Sequence, residues 1–175
     1  MQGYLHGKHD PDLRAGSGYG TDRKTERIAL VYGGHVVIPV TRREFREGFK
    51  THYNCYKGIR GYDKSRRLLL FYSVECGLKC LLLKRIQKNT YSELLAYDGM
   101  DILKNDGHNL KELLKKLDAE DKFRLKAIRI KKREQISPAE FNQLWRYGVE
   151  TLDNKEEERA EETLRDIAGW LDEQL

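Results

Sequence analysis

No stretch of about 18 uninterrupted apolar residues occurs in this chain, which excludes a transmembrane helix. The opening Met1-Gln2-Gly3-Tyr4 lacks the basic-then-apolar build of a signal peptide. Three cysteines are too few for a closed disulfide framework, and a reducing cytoplasm is the expected setting. Zinc-finger spacing, a Walker loop and a Ser-His-Asp signature are all missing, and no histidine follows His108. These gaps exclude the commonest sequence-readable metal, nucleotide-hydrolysis and acyl-transfer sites.

What is there is charge. Charged residues make up 35% of the 175 and hydrophobic ones 39%, polar for a globular chain but enough for one core. The net charge of +5 is unevenly spread. Residues 150–175 hold ten acidic and three basic side chains, a net of −7, which leaves +12 for residues 1–149. A basic body with an acidic terminal segment permits a nucleic-acid partner, or a helix with a solvated acidic face.

Residues 1–26 carry five glycines and few aliphatic side chains, and read as a flexible arm. Its Gly16-Ser17-Gly18-Tyr19-Gly20 has neither a preceding strand nor a following Lys-Ser/Thr pair, so no phosphate loop is expected. His6, His9, Asp10 and Asp12 on such an arm are poorly preorganised for a metal, and neither metal nor cofactor is expected. Residues 27–40 read as a β-hairpin: Ile28–Tyr32 and His35–Val40 flank Gly33-Gly34, and Pro39 belongs on an edge.

From residue 41 to 175 the pattern predicts an all-α bundle of about five helices. Thr41 and Glu44 have capping-box spacing ahead of Phe45, Phe49, Tyr53 and Tyr56. A second helix is expected from about Ser65 to Lys88, apolar nearly all round and therefore central. Thr90/Glu93 and Asn109/Glu112 predict two short helices. Residues 119–133 fit either a helix aligning Phe123, Ala127 and Ile130 or an alternating strand; the helix is preferred. Ser137-Pro138-Ala139-Glu140 starts a helix carrying Phe141, Leu144, Trp145, Gly148, Val149 and Leu152. A last helix from about Lys155 aligns Ala160, Leu164, Ile167, Leu171 and Leu175.

Residues 122–133 contain Lys122, Arg124, Lys126, Arg129, Lys131, Lys132 and Arg133 with no acidic residue among them. Arg60, Lys64, Arg66 and Arg67 form a second cluster beside Tyr62. Clustered cations of this kind contact phosphates, and the released counterions drive binding. Cys76 and Cys80, one turn apart in the most apolar helix, read as small hydrophobes. Glu75 and Lys79 at i,i+4 there need a partner and can supply one another's, unless they face a cleft. The one catalytic candidate is Arg46 with His52, an arginine for a phosphorane's charge and a histidine for the proton. The two point about 120° apart on their helix, so a dimer would have to assemble the site.

Two segments resemble the HEPN superfamily: Phe71-Tyr72-Ser73-Val74-Glu75-Cys76-Gly77-Leu78-Lys79-Cys80-Leu81-Leu82, and Gly107-His108-Asn109-Leu110-Lys111-Glu112-Leu113-Leu114. They are similar to its Y-x-V-E-x-x-L-K-x-L-L helix and G-H-x-L-x-x-L helix start. The resemblance spans residues 41–175. It implies a helical bundle that commonly dimerises, found in prokaryotic toxin–antitoxin, CRISPR and phage-defence systems, many members being metal-independent RNases. Glu75, Lys79 and His108 occupy its motif positions, His108 with a role at the turn and helix start. Those RNases carry a late-helix R-x(4–6)-H motif, whereas Arg146 is followed by no histidine. The expectation is a non-catalytic RNA-binding subunit, a homodimer or a component of a larger defence assembly. Arg66, Arg67, Lys126, Arg129, Lys131, Lys132, Arg133 and Arg146 would contact phosphate. The rival readings are an RNase using Arg46 and His52, and a pure protein-interaction subunit. In the last, the acidic helix docks on a basic partner or folds over its own basic body.

Overall fold

The computed structural model describes residues 30–32, 35–100, 103, 106–132 and 134–175. The arm at 1–26, the Gly33-Gly34 turn and Arg133 lie outside them. Four short strands and six α-helices are described, with one turn of 3-10 helix. Strands β1 (Leu30–Tyr32) and β2 (His35–Val37) pair antiparallel with Tyr32 opposite His35, the register of a two-residue hairpin. Helix α1 (Arg42–Gly58) opens on the expected capping box: the Thr41 hydroxyl accepts from Glu44 N–H, and the Glu44 carboxylate accepts from Thr41 N–H at 2.7 Å. Helix α3 (Tyr91–Leu95) repeats the device with Thr90 and Glu93. The two starts are tied together, because Arg42 N–H donates to Asn89 O and Tyr91 N–H to Val40 O.

Helix α2 (Asp63–Arg85) is the hub. It packs on α1, on α3, on α4 (Leu110–Lys116), on α5 (Phe141–Arg146) and on α6 (Asn154–Gln174). That is why it has apolar residues on every side: Leu70, Phe71, Val74, Leu78, Leu82 and Leu83 are all buried. Gly77 is required where α1 and α6 close on it. A Cβ there would stand 2.7 Å from Leu171 and 3.0 Å from Phe49. No described helix is long and apolar enough to cross a membrane.

Two expectations fail. The described residues of 119–132 form no helix. Strand β3 (Ile128–Arg129) pairs antiparallel with β4 (Gln135–Ile136), and Ile130 forms a bridge to Thr151. The helical reading required Ala127 on the inner face, but Ala127 is exposed while Ile128 and Ile130 are buried. That is a period of two, suited to β-branched residues, and the backbone finds partners across the chain. Ile130 N–H donates to Glu134 O, Lys131 N–H to Glu150 O and Leu152 N–H to Arg129 O. Second, the helix begun at Ser137-Pro138 is short. One 3-10 turn (Pro138–Glu140) leads into α5, which stops at Arg146. Gly148 takes φ +64°, its N–H donates to Trp145 O, and Val149 N–H donates to Leu144 O. This is a glycine C-cap, and it turns Leu152 out to solvent.

Candidate functional site

The motif residues meet. Glu75 and Lys79 are both about 6% exposed on α2, where Lys79 Nζ donates to Glu75 Oε1 at 2.6 Å. The second carboxylate oxygen, Oε2, lies 2.9 Å from His108 Nδ1, the residue after Gly107 at the entry to α4. His108 is itself half exposed, so an imidazole at the surface is oriented by a carboxylate beneath it. Burial alone would push the Glu75 carboxyl up. The His108 bond and the Lys79 charge outweigh it and hold the group below the usual carboxylate range. Burial pulls the Lys79 ammonium down, and the Glu75 charge more than restores it. The aromatic rings of Tyr91 and Phe45 flank the ammonium at 4.8 and 5.9 Å. A Cβ at residue 107 would stand 2.7 Å from the Tyr91 hydroxyl, so glycine is what lets the His108 turn sit this close.

Cys76 and Cys80 lie on the α1 side of the same helix. Cys76 Sγ abuts Gly48, and Cys80 Sγ is 3.3 Å from Arg42 O. Burial, then the Glu75 charge, pushes the Cys76 thiol up to about 11. Both are packing residues. No described group of three or more His, Cys, Asp or Glu side chains is arranged to hold a metal ion.

The basic clusters divide. Arg67 is 3% exposed, with Nη1 donating to Glu157 Oε2 at 3.0 Å and Nε to Glu161 Oε2 at 2.9 Å. It has no surface to offer a phosphate, because two buried carboxylates hold its guanidinium inside the fold. Arg66 pairs with Glu161 at 2.7 Å and lies over the Tyr56 ring. Lys64 donates to Glu157 at 2.8 Å. Arg129 is paired with Glu156, and Lys131 with Glu150. Lys126 and Lys132 are exposed and form no ion pair among the described residues. So the acidic helix α6 lies on the chain's own cations. Glu157 and Glu161 were not singled out in the sequence. Their i,i+4 spacing on α6, opposite Lys64 and Arg67 at i,i+3 on α2, was the available signal.

The structure does not bring Arg46 and His52 together. Arg46 lines an open cleft of about 1000 Å³ with Arg42, Arg43, Cys80 and Lys84. His52 lies six residues on, about 9 Å along the helix axis. Its ring centroid is 6.1 Å from that of Tyr72 on α2. The Tyr72 hydroxyl accepts a hydrogen bond from Arg146 Nη2 at the end of α5. Tyr147, beside Arg146, is 69% exposed. Tyr72 heads the quoted α2 motif, but its meeting with Arg146 is not legible in sequence, because the arrangement depends on how three helices cross.

No family model, curated protein or solved structure matches the chain.

Proposed function

We propose that the chain is a HEPN-like RNA-binding subunit of a prokaryotic defence or toxin–antitoxin assembly, and that it holds RNA without cutting it. One observation carries the reading. The two segments on which the HEPN resemblance rests, 71–82 and 107–114, meet through Glu75, Lys79 and His108 in a single hydrogen-bonded cluster. Exposed Lys126, Lys132 and Arg146 supply cations for phosphate, while Arg46 and His52 face different neighbours and make no joint acid–base site.

The test is binding of fluorescein-labelled single-stranded RNA across a salt series, with cleavage followed in EDTA for the wild type, His52→Ala and His108→Ala. The expected result is affinity that falls steeply with salt and RNA that stays intact. Cutting abolished by one histidine change would replace this reading with a metal-independent nuclease. Absence of binding at low salt would leave a protein-interaction subunit.

A further inference from the structure

Three helices deliver four side chains to one surface. His52 comes from α1, Tyr72 from α2, and Arg146 with Tyr147 from the end of α5. Arg146 is exposed, and its guanidinium is aimed by two phenols, through a bond to the Tyr72 hydroxyl and an interaction with the Tyr147 side chain. A guanidinium has five donors in a planar fork. One donor fixed on Tyr72 orients the fork and leaves others facing solvent. That is the preorganised state in which arginine grips phosphate oxygens in pairs. Tyr147 is 69% exposed, so its ring has a face open to a stacking partner. It follows the arginine directly and precedes Gly148, whose +64° φ fixes the turn that holds it there. His52 lies beside Tyr72, with ring centroids 6.1 Å apart, and adds a second nitrogen donor or acceptor.

We propose that Arg146, Tyr147, Tyr72 and His52 form a subsite for one unpaired nucleotide of single-stranded RNA. The phosphate sits on Arg146 and His52, and the base stacks on the Tyr147 ring. This rests on the RNA-binding reading above and gives it a place and a strand preference. In a duplex the bases already stack on one another and offer no face to Tyr147, so the subsite selects single strands. The exposed lysines at 126 and 132 meet only the phosphate chain and do not discriminate. Tyr72 is a positioning residue, acting through the arginine it holds.

The test uses the full chain and two oligoribonucleotides of one length, one unpaired and one in a hairpin duplex, each with 2-aminopurine at a single position. Expected for Tyr147→Leu is a loss of single-strand affinity on the order of tenfold. Duplex affinity stays unchanged, and the 2-aminopurine quenching seen with the wild type disappears. Tyr147→Phe keeps the quenching, because the ring remains, and loses no more affinity than Tyr72→Phe, because only one of the two phenols that aim Arg146 is gone. Tyr72→Phe weakens single-strand binding less than Arg146→Ala does, since the arginine remains but is no longer oriented. Lys126→Ala lowers both affinities alike. Because residues 146 and 147 are exposed, these variants melt as the wild type does. Wild-type-like single-strand binding by Arg146→Ala and Tyr147→Leu, with salt-sensitive RNA binding intact, overturns the subsite and leaves the RNA reading standing. Equal losses for both strands also overturn it. A wild type that binds neither RNA sinks both.

Discussion

At the scale of single residues, Glu75 does the most to decide how its surroundings behave. Both carboxylate oxygens are engaged, one by a buried ammonium and one by an imidazole at the surface. Removing the carboxylate leaves Lys79 charged and enclosed, which costs about 3–5 kcal/mol for a broken buried pair. Removing His108 takes away only the outer partner and costs less. We therefore expect Glu75→Gln to be markedly less stable than His108→Ala in urea unfolding at pH 7. The difference carries a pH signature. Glu75 titrates below its ordinary value of 4.5 in the fold, so its stabilisation is complete above about pH 4.5 and is lost as pH falls through the lowered value. The gap in Tm between wild type and Glu75→Gln should narrow as pH falls below about 4.5. A gap that stays constant over that range would show that the carboxylate's charge contributes nothing.

At the scale of elements, α6 shows how far charge patterning can be read. Its acidic content is plain in the sequence, and so is its apolar stripe; Ala160, Leu164, Ile167 and Leu171 are buried as their spacing predicts. Where the acids point is not legible, because that depends on the face α2 presents. Glu157 accepts from Lys64, Arg67, Trp145 Nε1 and Thr151, partners drawn from three separate segments. Burial opposes its ionisation and these partners outweigh it, holding it below the usual range. The capping boxes at Thr41 and Thr90 were legible for the opposite reason: every atom involved lies within four residues. The segment 119–133 was misread because two of its backbone bonds run to residues 150 and 152, about twenty residues on, and favour an extended chain over a helix. The motif cluster lies between these cases: its residues were visible, their meeting was not. The docking of α6 predicts an ordering. Arg67→Met leaves Glu157 and Glu161 without their shared buried cation and should cost about 3–5 kcal/mol. Lys131→Ala, which breaks the exposed pair with Glu150, should cost under about 1 kcal/mol. Urea unfolding followed by the fluorescence of buried Trp145 measures both, and comparable costs would mean that α6 is held by its apolar stripe alone.

At the scale of the whole molecule, α2 makes the bundle one cooperative unit. All five of the other described helices lean on it, so none can leave without uncovering part of its apolar surface. The three thiols report on this. Cys55 is exposed near the end of α1, Cys76 is half-buried against Gly48, and Cys80 is buried against the Arg42 carbonyl. Cys76 is doubly protected, since its thiol titrates at about 11 as well as being covered. With a thiol reagent at pH 8, one equivalent should react at once, and Cys55→Ser should abolish that phase. The other two should react only as α1 separates from α2. In a hub-centred bundle that separation is global unfolding, so the slow labelling should carry the same urea dependence as the equilibrium transition. A slow phase with a much shallower urea dependence would instead mean that α1 opens by itself. His52 would then part from Tyr72 while the rest of the fold stands, and the surface around Arg146 would exist only in the closed form.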